Sequence, residues 1–180
     1  KLDESFVKHK EALICQFKLK ESGKKFTLAN THLFWNPEFE YIKYGQISKI
    51  LTHLNENYKD EPLIFTGDLN SLPWSNVMRY LYRLKPVINS NTKGDYYNNK
   101  KYMEKFHAES MHDFNLSSAF QNYKPIVMKG LNTPVDEGLI NEQVFNKLAD
   151  NHPEFTNFTD EFYGCLDYIF YSKESLVVSE

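Results

Sequence analysis

An acid and an amide stand two residues apart at the end of a short apolar run, Ile64-Phe65-Thr66-Gly67-Asp68-Leu69-Asn70-Ser71. The run reads as a buried strand, and Gly67 permits a sharp exit from it. Asp68 and Asn70 are then expected on the loop at the strand's carboxyl end, where open sheets place ligands. A carboxylate and an amide carbonyl there suit a hard cation such as Mg²⁺ with a phosphate beside it. The same two residue types also favour an Asx turn without chemistry. Three further patches end or follow strand-like runs. His32 closes Phe26-Thr27-Leu28-Ala29-Asn30-Thr31. It is either a hydrogen-bonded structural residue or an imidazole that donates to a phosphate oxygen or protonates a leaving oxygen near neutral pH. Asp167 stands in the apolar run Cys165 to Tyr171, where a carboxylate is costly unless paired. It is either a structural ion-pair partner or the acid that orients a general-base histidine. Asn157 is either an edge amide or a phosphate or sugar contact. Phe34 reads as core. Trp35 and Phe162 have polar neighbours, which suits base stacking.

Composition limits what these residues can belong to. The chain has 180 residues, 41% of them hydrophobic and 25% charged, which describes one globular domain or part of one. A net charge of −3 argues against sequence-blind duplex binding, which needs a basic footprint. It allows a small phosphate site, because a metal there brings its own positive charge. Cys15 and Cys165 each sit in an apolar, strand-like run. Two buried free thiols in an intracellular, reducing compartment are expected, the cytoplasm ahead of the mitochondrion. No apolar run reaches the ~18 residues that a membrane span requires. The chain starts at Lys1 without Met or a signal-like segment and reads as an excised or processed piece.

Periodicity defines the strands and helices around these residues. Leu13, Cys15, Phe17 and Leu19 alternate with Ile14, Gln16 and Lys18, a strand pattern. With the polar turn at 21–25 it forms a hairpin with the run ending at His32. Tyr41, Tyr44, Ile47, Leu51 and Leu54 form the apolar stripe of a helix over 38–57. Pro62 opens a strand over 63–66, and Ser75 is placed to cap a helix with its body over 77–84. Residues 86–106 read as a loop or insertion, and 129–151 as a second one with a helical patch around Val144, Leu148 and Ala149. Residues 114–123 suit a short helix. Residues 155–158 and 165–171 suit two strands around a turn at Tyr163-Gly164, and one more strand begins at Leu176. The strand-helix alternation indicates a layered α/β fold.

Taken in order, Asn30-Thr31-His32, Gly67-Asp68-Leu69-Asn70 and Leu166-Asp167-Tyr168-Ile169-Phe170 resemble the endonuclease/exonuclease/phosphatase superfamily. The longer stretches, Ala29 to Pro37, Gly67 to Pro73, and Phe155-Thr156-Asn157-Phe158 leading to Gly164 through Phe170, are similar to its deadenylase branch. That branch holds the carbon-catabolite-repressor-type deadenylases, nocturnin, Angel and the 2′,5′-phosphodiesterase. The resemblance implies part of a four-layered α/β sandwich with two mainly antiparallel sheets flanked by helices, spanning 1–180. It implies Mg²⁺-dependent hydrolysis, with Mn²⁺ as a substitute, of an RNA or oligoadenylate with an adenine-rich 3′ end. His32, Asp68, Asn70 and Asp167 would be catalytic, with Asp68 and Asn70 near the metal. Trp35, Asn36, Pro37, Asn157 and Phe162 would bind substrate, Pro37 and Phe162 sandwiching an adenine. The family's metal-binding Glu is expected before Lys1 and its Ser-Asp-His after Glu180, so this piece is expected to be inactive alone. A nucleotide phosphatase, a DNA-repair endonuclease and a non-catalytic RNA-binding or scaffold protein are the alternatives.

Overall fold

The computed structural model describes residues 10–88, 96–122 and 142–179. Strands β1 (Ala12–Lys18), β2 (Lys25–His32), β3 (Leu63–Asp68), β4 (Leu116–Ser118) and β7 (Asp167–Ser172) form one sheet in the order β1-β2-β3-β7-β4. Strands β5 (Asn157–Phe158) and β6 (Tyr163–Gly164) form a separate hairpin. The helices are α1 (Glu40–Tyr58), α2 (Asn76–Leu81), α3 (Tyr96–Glu109) and α4 (Glu142–Asp150). Two mainly antiparallel sheets were expected. The described residues hold one five-stranded mixed sheet, because the crossover through α1 makes β2 and β3 parallel, and one small hairpin.

Side-chain alternation divides the large sheet into two unlike faces. Thr27, Ala29, Leu63, Phe65, Tyr168 and Phe170 point toward the helices and are buried. There they share a core with Tyr44, Ile47, Leu51 and Leu54 of α1 and with Val77, Met78 and Leu81 of α2. The opposite face carries Leu13, Phe17, Leu28, Ile64 and Ile169. The described residues leave it exposed or half-buried, with Leu13 at 62% and Ile169 at 47% exposure. In β1, Ile14 is the residue packed against the core; the Leu13-Cys15-Phe17 set looks away from it, with Phe17 stacked on Phe26 at 5.2 Å. Cys15 is half-buried rather than buried, and both cysteines are free thiols.

Several boundaries move for identifiable reasons. Helix α1 begins at Glu40 after a short 3₁₀ turn at Pro37–Phe39, which Asn36 caps through Oδ1 to the Glu38 amide at 2.9 Å. Ser75 does cap α2, through Oγ to the Met78 amide, but α2 is short. Helix α3 occupies 96–109, although the sequence reads as a loop or insertion over 86–106. Its polar composition hides Asn99, Met103 and Phe106, spaced three and four apart and buried; Asn99 Oδ1 takes the Tyr41 amide at 3.0 Å. Residues 114–122 hold β4 and a 3₁₀ turn at Ala119–Asn122 rather than the short helix expected over 114–123, whose last residue lies outside the described residues. Helix α4 matches the patch around Leu148, while residues 123–141 lie outside the described residues. Residues 157–158 pair with 163–164, not with 165–171, which joins β3 instead. No strand forms at 176–178, where Val177 is exposed.

Candidate active site

Strand register brings three of the four expected catalytic residues into one row. His32 pairs with Asp68 across the parallel β2–β3 ladder, and Asp68 pairs with Asp167 across the antiparallel β3–β7 ladder. All three lie on the open face at the carboxyl ends of β2 and β3. His32 Nε2 stands 3.7 Å from Asp68 Oδ2. Asp68 is the last residue of β3 rather than a loop residue, because pairing to β7 extends the strand through Gly67. Gly67 has φ +147°, and a Cβ there would lie 1.9 Å from the Thr31 carbonyl oxygen. Only glycine lets β3 approach β2 this closely.

The turn after β3 is both an Asx turn and a fastening point. Asp68 Oδ1 accepts from the Asn70 amide at 2.8 Å. Asn70 takes a left-handed conformation, φ 46°, which asparagine tolerates. Its Nδ2 donates to the Leu33 carbonyl at 3.0 Å, while the Leu33 amide donates to the Asp68 carbonyl at 3.0 Å. The loop leaving β2 is thereby tied to the loop leaving β3. The Leu69 amide donates to the Leu166 carbonyl at 2.8 Å, and the buried Tyr168 hydroxyl lies 2.7 Å from the carbonyls of Ser71 and Cys165. Burial keeps that phenol protonated far above its usual range. Burial also pushes the Cys165 thiol up to about 11, away from the reactive thiolate form.

Thr156, the neighbour of Asn157, is the residue that contacts Asp167. Its hydroxyl donates to Asp167 Oδ2 at 2.8 Å and accepts from the Leu166 and Asp167 amides at 3.0 and 2.9 Å. One carboxylate oxygen of Asp167 is thus held by Thr156. Asn157 sits on β5 opposite Gly164. Phe162 leans over Gly164, where a Cβ would meet its ring at 2.9 Å and Leu72 at 2.7 Å. Trp35 is 64% exposed. Together with Asn36 and Pro37 it lies on the loop leaving β2. The structure therefore gathers His32, Asp68, Asn70 and Asp167, and sets the remaining candidates on the segment after β2 (Trp35, Asn36, Pro37) and on the β5–β6 hairpin (Asn157, Phe162).

No group of three or more His, Cys, Asp and Glu side chains converges among the described residues. The Asp68 carboxylate and the Asn70 amide oxygen, two residues apart on one turn, are nevertheless hard oxygen donors. That fits Mg²⁺, which takes one or two protein carboxylates and completes its shell with water and substrate phosphate.

Residues 46–180 match the Endonuclease/Exonuclease/phosphatase family, and the chain belongs to it. Within the family it falls in the deadenylase branch. It is 28% identical over 167 residues to the 2′,5′-phosphodiesterase 12 of Homo sapiens, covering 89% of this chain and 22% of that protein. It is 29% identical over 178 residues to the probable CCR4-Not complex 3′-5′-exoribonuclease subunit Ccr4 of Enterocytozoon bieneusi, covering 97% of this chain and 30% of that one. The chain therefore spans between about a fifth and a third of the length of these curated relatives. Among solved structures, that of ANGEL2, a 2′,3′-cyclic phosphatase, in complex with adenosine-2′,3′-vanadate superposes with a TM-score of 0.60 at 20% identity. The overlap covers 91% of this chain and 50% of that one, and it shows a shared fold.

Proposed function

We propose that residues 1–180 form the later part of one catalytic domain, a metal-dependent phosphodiesterase that removes adenylate from an RNA 3′ end. The substrate is poly(A) or a 2′,5′-linked oligoadenylate. The observation that carries this reading is the His32–Asp68–Asp167 row at the strand ends, with the Asn70 turn locked beside it. An imidazole, two carboxylates on paired strand positions and an amide can serve both halves of a phosphate site, donors for oxygens and acceptors for a cation.

Mg²⁺, or Mn²⁺ in its place, would be held by Asp68 and Asn70 together with a Glu from the preceding sequence. When bound, it supplies positive charge to a phosphate that gains negative charge toward the transition state. His32 donates a hydrogen bond to a non-bridging phosphate oxygen. Asp68 orients the attacking water. The Asn70 amide keeps one N–H free after its bond to Leu33 and touches the phosphate. Asp167, with one oxygen taken by Thr156, uses the other to fix a histidine from the following sequence as general base. Trp35, Pro37 and Phe162 provide stacking surface for the terminal adenine, and Asn36 and Asn157 supply polar contacts nearby.

The test is a time course on 5′-labelled oligoadenylates of both linkages, with Mg²⁺ or with chelator, using this chain carrying its natural flanking sequence. Stepwise 3′ shortening that needs the metal is expected. Asp68→Ala should lower kcat/KM by about 10³-fold or more. The 180-residue chain alone should be inactive. Turnover that survives Asp68→Ala refutes the role given to the row.

A further inference from the structure

Helix α1 touches the site's loops through a line of three polar side chains. Glu40, Lys43 and Gln46 recur every three residues and so share a face. Gln46 Oε1 accepts from the Phe34 amide at 2.9 Å, on the loop leaving β2. Lys43 Nζ donates to the Asn70 carbonyl at 2.6 Å, on the turn leaving β3. Glu40 Oε1 accepts from the Asn76 amide at 2.7 Å, and its Oε2 from Asn76 Nδ2 at 3.3 Å, at the start of α2.

Lys43 is the unexpected member. It is 3% exposed, and taking an ammonium out of water costs several kcal/mol before compensation. Burial lowers its pKa, while the nearby Glu40 and Asp68 carboxylates act the other way. Packing alone would be served better by Leu or Met at this position. The ammonium instead reaches the main-chain carbonyl of Asn70. That residue's amide is bound by Asp68, its side chain by Leu33 and its carbonyl by Lys43, while its backbone sits at φ 46°.

We propose that Lys43 is a positioning residue of the site: its buried ammonium, clamped on the Asn70 carbonyl, holds the Asp68–Asn70 turn in the orientation that aligns Asp68 between His32 and Asp167. Gln46 and Glu40 fasten the loops on either side, so α1 acts as a rigid bar across the strand ends. The geometric claim stands by itself; its kinetic consequence rests on the proposed function.

The experiment compares Lys43→Met and Lys43→Arg in the full-length protein, by hydrogen-exchange mass spectrometry and by turnover of oligoadenylate. Lys43→Met should raise exchange of the peptide spanning 66–74 by about tenfold or more, with the α1 and β2 peptides unchanged. Lys43→Arg, which keeps the charge and the donors, should stay within about threefold of the unsubstituted protein. Lys43→Met should lower kcat by about 10- to 100-fold with KM within about twofold, as misplacement of a catalytic turn does. If Lys43→Met does not fold, Lys43→Gln takes its place, keeping a donor without the charge. Unchanged exchange at 66–74 in the charge-free variant, or Lys43→Arg as unprotected as that variant, overturns the proposal. Absence of turnover in the unsubstituted protein would instead overturn the functional reading, and the exchange comparison would still decide the role of Lys43.

Discussion

The two faces of the five-stranded sheet differ in how completely they are built. The helix-side face is finished: Leu63, Phe65 and Phe170 are wholly buried beneath α1 and α2. The opposite face presents Leu13, Phe17 and Ile169 largely uncovered by the described residues, and it ends in the His32–Asp68–Asp167 row. A sheet face this apolar is normally covered. The covered face therefore carries the stability of this chain, and the open face carries the candidate site together with apolar surface that the described residues leave bare. The superposed ANGEL2 chain is about twice as long as the stretch matched here.

The largest effect expected on the covered face is that of Phe65→Ala. A fully buried aromatic at the centre of the sheet leaves a cavity that its neighbours fill only in part, at about 3–5 kcal/mol. Urea unfolding followed by circular dichroism measures it. A loss below about 1 kcal/mol would mean that this face is loosely packed, and the contrast between the faces would fail.

The next effect compares histidines on the two faces. His32 is half-exposed in the row, whereas His112 is buried against Tyr80 and Phe114 on the helix side. His112 Nε2 lies 3.1 Å from the Tyr80 carbonyl and donates to it. Burial pushes the His112 pKa from its ordinary 6.5 down to about 4; His152, packed on Tyr168 and Phe120, is lowered for the same reason. Between these values the unfolded chain binds the proton that the folded chain refuses. The contribution is therefore complete above pH 6.5 and is lost as pH falls toward 4, by up to about 3 kcal/mol from His112. Thermal unfolding of His112→Gln against the unsubstituted chain, at pH 7.5 and pH 5, measures it. The unsubstituted chain should lose more stability on acidification than the variant. Equal slopes would show that His112 is not held neutral.

The same contrast sets how much could be read in the sequence. Strands β1 to β3, α1 and the Ser75 cap follow from periods of two and of three to four and from local turn chemistry. The three motifs carrying His32, Asp68 and Asp167 were each visible. Their alignment in one row was not, because it depends on pairing between β3 and a strand about a hundred residues later. Thr156 was hidden because its value lies in accepting two amides brought to it by that strand's start. Lys43 was hidden within an apolar stripe, between Tyr41 and Tyr44, where a lysine reads as a tolerated exception. Helix α3 was missed because Asn and Tyr mask the spacing of Asn99, Met103 and Phe106, the residues it buries.

The smallest effect is the sharpest test of the comparison. Ile169 faces away from the helices, pairs with Thr66 of β3 and is 47% exposed. Ile169→Thr keeps the branched side chain that a strand favours and removes apolar surface only. If the open face is bare in this chain, the substitution should cost the 180-residue protein less than about 0.5 kcal/mol, as at an ordinary surface position. With the flanking sequence restored, the same change would place a hydroxyl in a packed interior and should cost about 1–3 kcal/mol. Denaturant unfolding of both lengths, each with Ile and with Thr, gives the difference directly. Equal costs near zero would mean that the flanks do not cover this face. Equal costs above about 1 kcal/mol would mean that the short chain already buries it, against itself or a second copy. Only a cost that appears with the flanks places the second layer over Ile169, and with it a wall opposite Asp68.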